Sequence, residues 1–215
     1  MPNKQYETRE VTHGNEWSAF AGFTVKDGVI TFDDPTVLTG LQETSFDESQ
    51  DSSPIYADNQ VHITVQGNIK TEGSLKYLQL TKKWLTDHLG KKVLANGGLK
   101  DNPTKKNFAY MFQEIVTDEF GGTKRSLTIY YNLQAGAIKS ATKGDEDKVE
   151  AKVFEIPVTA NPNNYVLDAD GIPTTYMQII ESEETKTLFN TAYEQVVLPT
   201  TTVPATPPQE TDITV

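Results

Sequence analysis

Three histidines, an Asp-Ala-Asp-Gly turn, a Gly-Gly-Thr-Lys stretch and several serines among carboxylates are the groups of this chain that could do chemistry. His13, His62 and His88 could ligate a metal or move a proton. They stand in a polar N-terminal stretch, a strand and a helix, and no spacing joins them. Asp168-Ala169-Asp170-Gly171 resembles part of a calcium loop, but placing Gly171 at the turn position puts Val166 at the first ligand and Met177 at the last. The segment therefore reads as a turn closed by Asp and Gly. Gly121-Gly122-Thr123-Lys124 lacks the spacing and the following hydroxyl of a phosphate loop, and it reads as a hairpin turn. Ser45, Ser49, Ser52 and Ser53 lie outside any nucleophile-elbow motif. Asp47 and Glu48 read as ionised, solvated carboxylates. Cysteine is absent, which removes disulfides, thiolate metal sites and a thiol nucleophile. The expectation is a protein with no catalytic residue, metal or cofactor, and so no enzyme.

The elements that hold these groups are mostly short strands. Residues 19–25 and 29–32 flank Asp27-Gly28, a hairpin signal, and residues 37–41 read as a further strand. Residues 61–65 alternate Val, His, Ile, Thr, Val, which predicts a half-buried strand. Ahead of it, residues 42–60 hold Glu43, Asp47, Glu48, Asp51 and Asp58 without a Lys or Arg, and they read as a long acidic arm. After a strand over 74–80, Thr81 is a candidate N-cap for a helix over 82–89, with Gly90 at its C′ position. Residues 107–116 and 124–134 both alternate, and an antiparallel hairpin is the simplest arrangement for them. Strands over 149–159 and 174–180 precede a second helix that starts at 182–185, with Leu188, Phe189, Ala192, Tyr193 and Val196 as its apolar stripe.

Residues 1–16 predict a flexible arm, and the Pro/Thr-rich residues 199–215 predict a disordered tail. Residues 17–198 then make one domain with the acidic arm 42–60 inserted. Its class is mainly β, a β-sandwich or barrel-like fold with one flanking helix and a short helix near the C-terminus.

Charge narrows the function classes. With 30 acidic against 19 basic residues the net charge is -11, which opposes ordinary nucleic-acid binding driven by Lys and Arg on phosphates. It does not argue against a surface past which DNA slides without sticking. No run approaches the roughly 20 apolar residues of a membrane span, and Met-Pro-Asn-Lys lacks the apolar region of a signal peptide. Synthesis in the cytosol, without membrane insertion, is expected.

Tyr56-Ala57-Asp58-Asn59, followed by the alternating strand, Gly67, the Ser74-Leu75 strand and a short helix ending at Gly90, resembles the major tail (tail tube) proteins of siphophages, particularly those infecting Gram-positive bacteria. In order of elements the resemblance runs over residues 15–198. It implies a structural virion subunit that forms hexameric rings, which stack into the tube of a long non-contractile tail and conduct viral DNA into the host cell. The implied fold is a β-sandwich with a flanking helix, shared with the tube of type VI secretion systems, whose inner sheets join into a lumen barrel. The implied partners are further copies of the chain, other tail proteins such as the tape measure protein inside the lumen, and DNA as passing cargo. The implied location is the virion tail, after synthesis in the host bacterial cytoplasm.

On that resemblance His62, Thr64, Gln66, Ser126, Thr128 and Asn132 are candidates to face the lumen; in a monomer the same polar faces would simply meet water. Glu43, Asp47, Glu48, Asp51 and Asp58 are candidates for an arm that reaches a neighbouring subunit, with Lys105, Lys106, Lys124 or Arg125 as its basic partners. Several members of that family carry an immunoglobulin-like domain after the tube domain, and the Pro/Thr-rich stretch stands there instead, so exterior decoration is not expected. The competing reading is a glycan- or protein-binding β-sandwich, an adhesin module using Trp17, Tyr56 and Tyr131.

Overall fold

The structure is a computed structural model that describes residues 9–141 and 151–200. The proposed tail beyond residue 200, and residues 1–8 of the proposed N-terminal arm, lie outside the described residues. From Glu10 the chain is strand: β1 (Glu10–Lys26) turns at Asp27 and Gly28 into β2 (Val29–Phe32). Both turn residues have positive φ, 52° and 80°, the geometry a two-residue hairpin loop requires. Residues 10–16 are thus not a flexible arm. They pair with a later strand from Glu10↔Asp118 onward, because its edge leaves N–H and C=O groups that only another strand satisfies in series.

β3 (Thr36–Leu38) follows, and then two long strands, β4 (Leu41–Ala57) and β5 (Gln60–Tyr77), form one hairpin. The acidic stretch is therefore paired strand rather than an irregular connection. Asp58 and Asn59, at φ 53° and 61°, make its two-residue turn. Pro54, which has no N–H to give, is tolerated because β4 ends the sheet.

Helix α1 (Lys82–Asp87) starts where Thr81 Oγ1 accepts the Trp84 N–H, and Gly90 follows with φ 67°. Next come the small hairpin of β6 (Lys91–Val93) and β7 (Leu99–Asp101), then β8 (Phe108–Asp118) and β9 (Thr123–Ala135), antiparallel neighbours as their alternation predicts. β10 (Lys139–Ala141), β11 (Val153–Ala160), β12 (Asn163–Leu167), β13 (Pro173–Thr174), β14 (Tyr176–Ile180) and α2 (Lys186–Thr191) complete the described order. The main sheet runs β2-β1-β8-β9-β11-β5-β4, with β3 on β1, β10 on β11 and β14 on β9.

This sheet curls so that β5 and β4 return over β8 and β9. Phe20, Leu75, Tyr77, Trp84, Phe108, Tyr110 and Ile156 fill the space between, and all seven are fully or almost fully buried. Burying one such large side chain contributes about 1.5–3 kcal/mol. Trp84 stacks on Phe20 and meets Tyr77 edge-on at 5.1 Å, which pins α1 to the sheet. Ser18 Oγ, the Tyr77 hydroxyl and the Tyr110 hydroxyl form a buried chain of hydrogen bonds at 2.6 and 2.7 Å. Burial holds both phenols protonated, above their ordinary pKa. On the opposite face Ala19, Met111, Leu127, Ile129 and Tyr131 are covered by Leu188, Phe189, Ala192 and Val197 from α2 and the turn after it.

Candidate functional site

β11, β5 and β4 each turn one row of side chains away from the core. Register places them in ranks: Glu155, Lys76 and Glu43, then Pro157, Ser74 and Ser45, then Thr159, Glu72 and Asp47. Lys76 Nζ donates to Glu43 at 2.7 Å, and that hydrogen bond raises the lysine's pKa. Lys139 extends the same rank through Glu155 at 3.2 Å. Asp47 and Glu72 are direct cross-strand partners, an arrangement of like charges that costs stability and leaves this rank acidic. Ser45, Ser49, Gly73 and Ser74 keep the surface low around them, as a shallow groove of about 420 Å³. Pro157 apart, the three-strand face is hydrophilic, and among the described residues the outer edge of β4 has no strand partner.

Nearer the turn the hairpin reverses its faces. Between Gln50↔Ile69 and Ser52↔Gln66, β5 carries one extra residue, so Gly67 and Asn68 together oppose Asp51. Such a bulge shifts the alternation by one. The rank that bears Glu72 and Lys70 therefore continues into Val65 and Ile63, opposite Ser53 and Ile55. The core-facing rank continues into Gln66 and Thr64, opposite Ser52 and Pro54. Beyond the body none of the described residues covers either face: Ile55, Val61, Ile63 and Val65 are 51, 52, 54 and 48% exposed. The expected half-buried strand over residues 61–65 is instead exposed on both faces, with Ile55, Ile63 and Val65 as an apolar stripe on one of them, since among the described residues no second layer reaches it.

The six lumen candidates divide accordingly. Thr64 and Gln66 share one exposed face of the hairpin, and His62 is the extra residue of a second bulge beside Tyr56. Ser126 is fully buried and accepts a hydrogen bond from Gln178 Nε2 at 3.0 Å, and Thr128 is almost as buried. A side chain closed within its own subunit lines no lumen. Alternation assigns β9 two faces but could not show that β4 lies over this one and that Gln178 of β14, the neighbouring strand, closes on Ser126. Asn132 is half-buried and bonded to Asn107 Nδ2 at 2.8 Å, as a loop anchor.

The arm carboxylates divide as well. Glu43 and Asp51 are paired inside the hairpin with Lys76 and Lys70, Glu48 faces the groove beside Glu114 and Tyr130, and Asp58 sits at the tip. Of their proposed basic partners, Lys105 donates to the Ala135 and Gly136 carbonyls and Lys124 pairs with Glu10. Arg125 forms a two-pronged pair with Glu181 at 2.9 and 2.7 Å. Three of the four are thus engaged within their own subunit.

The residues weighed for catalysis are placed in structural roles. His88 is buried, with Nδ1 at 2.9 Å from the Lys106 carbonyl and its ring against Phe20 and Phe108, and burial lowers its pKa. His13 Nε2 bonds Thr117 Oγ1 on the surface at 2.8 Å. Asp168 Oδ1 accepts the N–H groups of Asp170 and Ile172, the turn that the sequence suggests. Asp118 Oδ1 does the same for Phe120 and Gly122 ahead of Lys124. Among the described residues no three His, Asp or Glu side chains converge as metal ligands, and no helix is long and apolar enough to cross a membrane. Of the aromatics offered for adhesion, Trp17 and Tyr131 are buried and only Tyr56 stands exposed.

Sequence reading missed the apolar stripe and a second feature at the hairpin's base. There a groove of about 820 Å³ runs between β5 and the β11–β12 connection, lined by Ile69, Ala160, Pro162 and Pro173, with Lys70 and Glu72 beside them. Gly67 inside a strand pattern was the available signal of the bulge that re-aims this segment.

A hydrophilic sheet face that ends in an open edge, together with an apolar hairpin held clear of the body, defines a structural subunit built to add to neighbours. Comparison with protein families agrees: residues 1–206 match the model of the phage tail tube proteins, and the chain belongs to that family. It is a major tail protein, a component of the virion tail that assembles with other tail proteins. No curated protein matches the chain.

Proposed function

We propose that the chain forms hexameric rings that stack into the tail tube of a phage of Gram-positive bacteria, around a lumen that holds the tape measure protein and then passes the DNA. The observation that carries this reading is the outer face of β11, β5 and β4, which is hydrophilic from Glu155 to Asp47 and ends at an unpaired strand edge. A closed ring needs a heterologous contact between unlike surfaces, and an open strand edge is a natural place for one. With that face inward, Ser45, Asp47, Ser49, Glu72, Ser74 and Thr159 line the lumen. Six copies present small hydroxyls and an excess of carboxylates, Glu43, Asp47, Glu72 and Glu155 against Lys70 and Lys76, and a wall of that net sign repels phosphate instead of holding it. Thr64 and Gln66 lie on the hairpin's other face and take no part in this wall. The chain has no catalytic task in this role.

Electron microscopy of the purified protein tests the reading. Rings with sixfold symmetry, or tubes built from them, are expected. A protein that stays monomeric and binds glycans saturably would overturn it in favour of an adhesin.

A further inference from the structure

Where β4 passes over β8, β9 and β14 it leaves a groove of about 330 Å³, near the lower limit of roughly 300 Å³ for small-molecule sites and so of a size for one long side chain. Its walls are Phe46, Tyr130 and Tyr176, whose rings lie in series with centroids 3.9 and 5.4 Å apart. Glu48 lines it from β4 and Glu114 from β8, and among the described residues neither carboxylate has an ion pair or a hydrogen bond. Burial holds the Glu114 carboxyl above its ordinary pKa, as befits a carboxylate without a counter-charge. Thr128, only 6% exposed, lines the same groove, and its hydroxyl has no hydrogen-bond partner among the described residues. A polar group so deeply buried is ordinarily paired, and leaving it unpaired costs stability. An ammonium carries three donors, one for each of these acceptors, and its alkyl stem suits the aromatic walls. A bare metal ion would leave those walls unused.

The complementary surface is the hairpin of β6 and β7. Residues 82–106 hold seven lysines against two aspartates, in a chain whose net charge is -11. On one face of the hairpin Lys91 is neutralised by Asp101 at 2.5 Å. On the other, Lys92 and Lys100 are direct cross-strand partners, both exposed, and neither has an ion pair among the described residues. Like charges so placed repel each other and cost stability until a partner supplies carboxylates. We propose that the groove is a lysine-binding site for a second copy of this chain, which inserts its Lys92 or Lys100 ammonium between Glu48 and Glu114, against the Thr128 hydroxyl and along Tyr130 and Tyr176. Two unpaired cations thereby meet two unpaired carboxylates, and the contact relieves the cost that each surface carries alone. The inference rests on the ring-and-tube reading and names one contact between its copies.

Carbodiimide joins a carboxylate to an amine only where the two touch, and it tests the contact on tubes of the full-length protein. Tubes assembled from isotope-labelled and unlabelled chains together separate bonds between copies from bonds within one. Mass spectrometry is expected to find isopeptides from Lys92 or Lys100 to Glu48 or Glu114 in mixed-isotope pairs. Lys82, equally exposed on α1, is expected to give none with those carboxylates. Tubes that give no such mixed pair, or as much of one from Lys82, overturn the inference and leave the tube reading standing. Failure of the unsubstituted protein to form rings or tubes would instead count against the tube reading. Thr128→Val adds a readout that a purely structural role would not give. Removing a hydroxyl that is unpartnered in the lone subunit is expected to leave its urea midpoint unchanged or higher, while the concentration needed for assembly rises at least threefold. The exposed double variant Lys92→Ala/Lys100→Ala is expected to raise that concentration more than tenfold, and Lys92→Arg/Lys100→Arg to keep it within threefold. Assembly of the alanine variant at wild-type concentration overturns the inference.

Discussion

Phe46 of β4 stacks on Tyr130 of β9 with ring centroids 3.9 Å apart and planes 20° from parallel. It is the one large apolar side chain that the acidic half of β4 turns toward the body, and it joins the returning hairpin to the opposite strands. Phe112 lies beside it at 6.4 Å.

Loss of that contact should loosen the hairpin's base. Phe46 is only half-buried, so Phe46→Ala is expected to cost about 2–3 kcal/mol, below the range for a fully buried Phe. Phe46→Leu should cost about half as much. Gly73→Ala should also destabilise, since its Cβ would meet the Phe46 ring at 2.7 Å and the Ser45 carbonyl closer still. Urea midpoints of the three variants against wild type check this, and a Phe46→Ala midpoint equal to wild type would show that the stack holds nothing together.

Which parts were legible in the sequence follows from which signals are local. Thr81 and Gly90 announce α1 because a cap and a left-handed C′ position are decided within a few residues. β8 and β9 are announced by alternation, which survives even though both their faces are buried. β4 is not announced, because an exposed edge strand needs no apolar period, and its carboxylates read as a solvated arm. Its only local marks are Phe46, and Asp58-Asn59 as two residues tolerant of positive φ. Gly67 inside a strand pattern hints at a bulge, but which residues change face could not be read without the partner strand's register. That reversal is why Thr64 and Gln66 fall off the proposed lumen wall while Ser74 and Glu72 fall on it.

Shortening the hairpin should separate folding from stacking. Residues 52–66 are exposed throughout and none belongs to either core cluster among the described residues, so replacing them with Asn-Gly between Asp51 and Gly67 is expected to leave the melting temperature within a few degrees of wild type. Assembly is expected to stop before tubes. Circular dichroism melting and negative-stain microscopy of the same sample check it, and tubes of normal length from the shortened chain would refute a stacking role for the hairpin.

Arg125 and Glu181 give a test with a defined sign in pH. The Arg125 hydrogen bond and charge hold the Glu181 carboxyl below its ordinary value of 4.5, and the guanidinium also sits 5.0 Å over the Phe189 ring. A carboxyl lowered on folding adds stability above its unfolded pKa and loses it as pH falls through the folded value. Glu181→Gln is therefore expected to cost about 1–2 kcal/mol at pH 7, given two charge-assisted bonds in a partly screened site. The gap from wild type should close as pH falls well below 4.5. Urea unfolding at pH 7 and pH 3 measures both ends, and an equal gap at both would mean that packing on Phe189 matters and the charge does not.

The lumen assignment is tested by changing the sign of the wall. Ser45 and Ser74 are cross-strand partners on the hydrophilic face, small, and clear of the core, so Lys at either is expected to leave folding and ring formation intact. In a ring of six, each substitution would add six positive charges to the path of the duplex. Each phosphate neutralised strengthens binding and steepens its salt dependence by a slope of roughly 0.9. Wild-type tubes are expected to show no measurable affinity for duplex DNA at physiological salt. Ser74→Lys tubes should bind it in a manner that weakens steeply as salt rises, and phage carrying the substitution should eject DNA more slowly. Thr64→Lys, on the hairpin's other face, should do neither. DNA release from purified virions and salt-dependent binding to assembled tubes check these outcomes together. Slow ejection with Thr64→Lys and normal ejection with Ser74→Lys would place the other face of the hairpin inward. Tight DNA binding by wild-type tubes would contradict the conduit itself, because a wall that holds phosphate retards the passage it exists to allow.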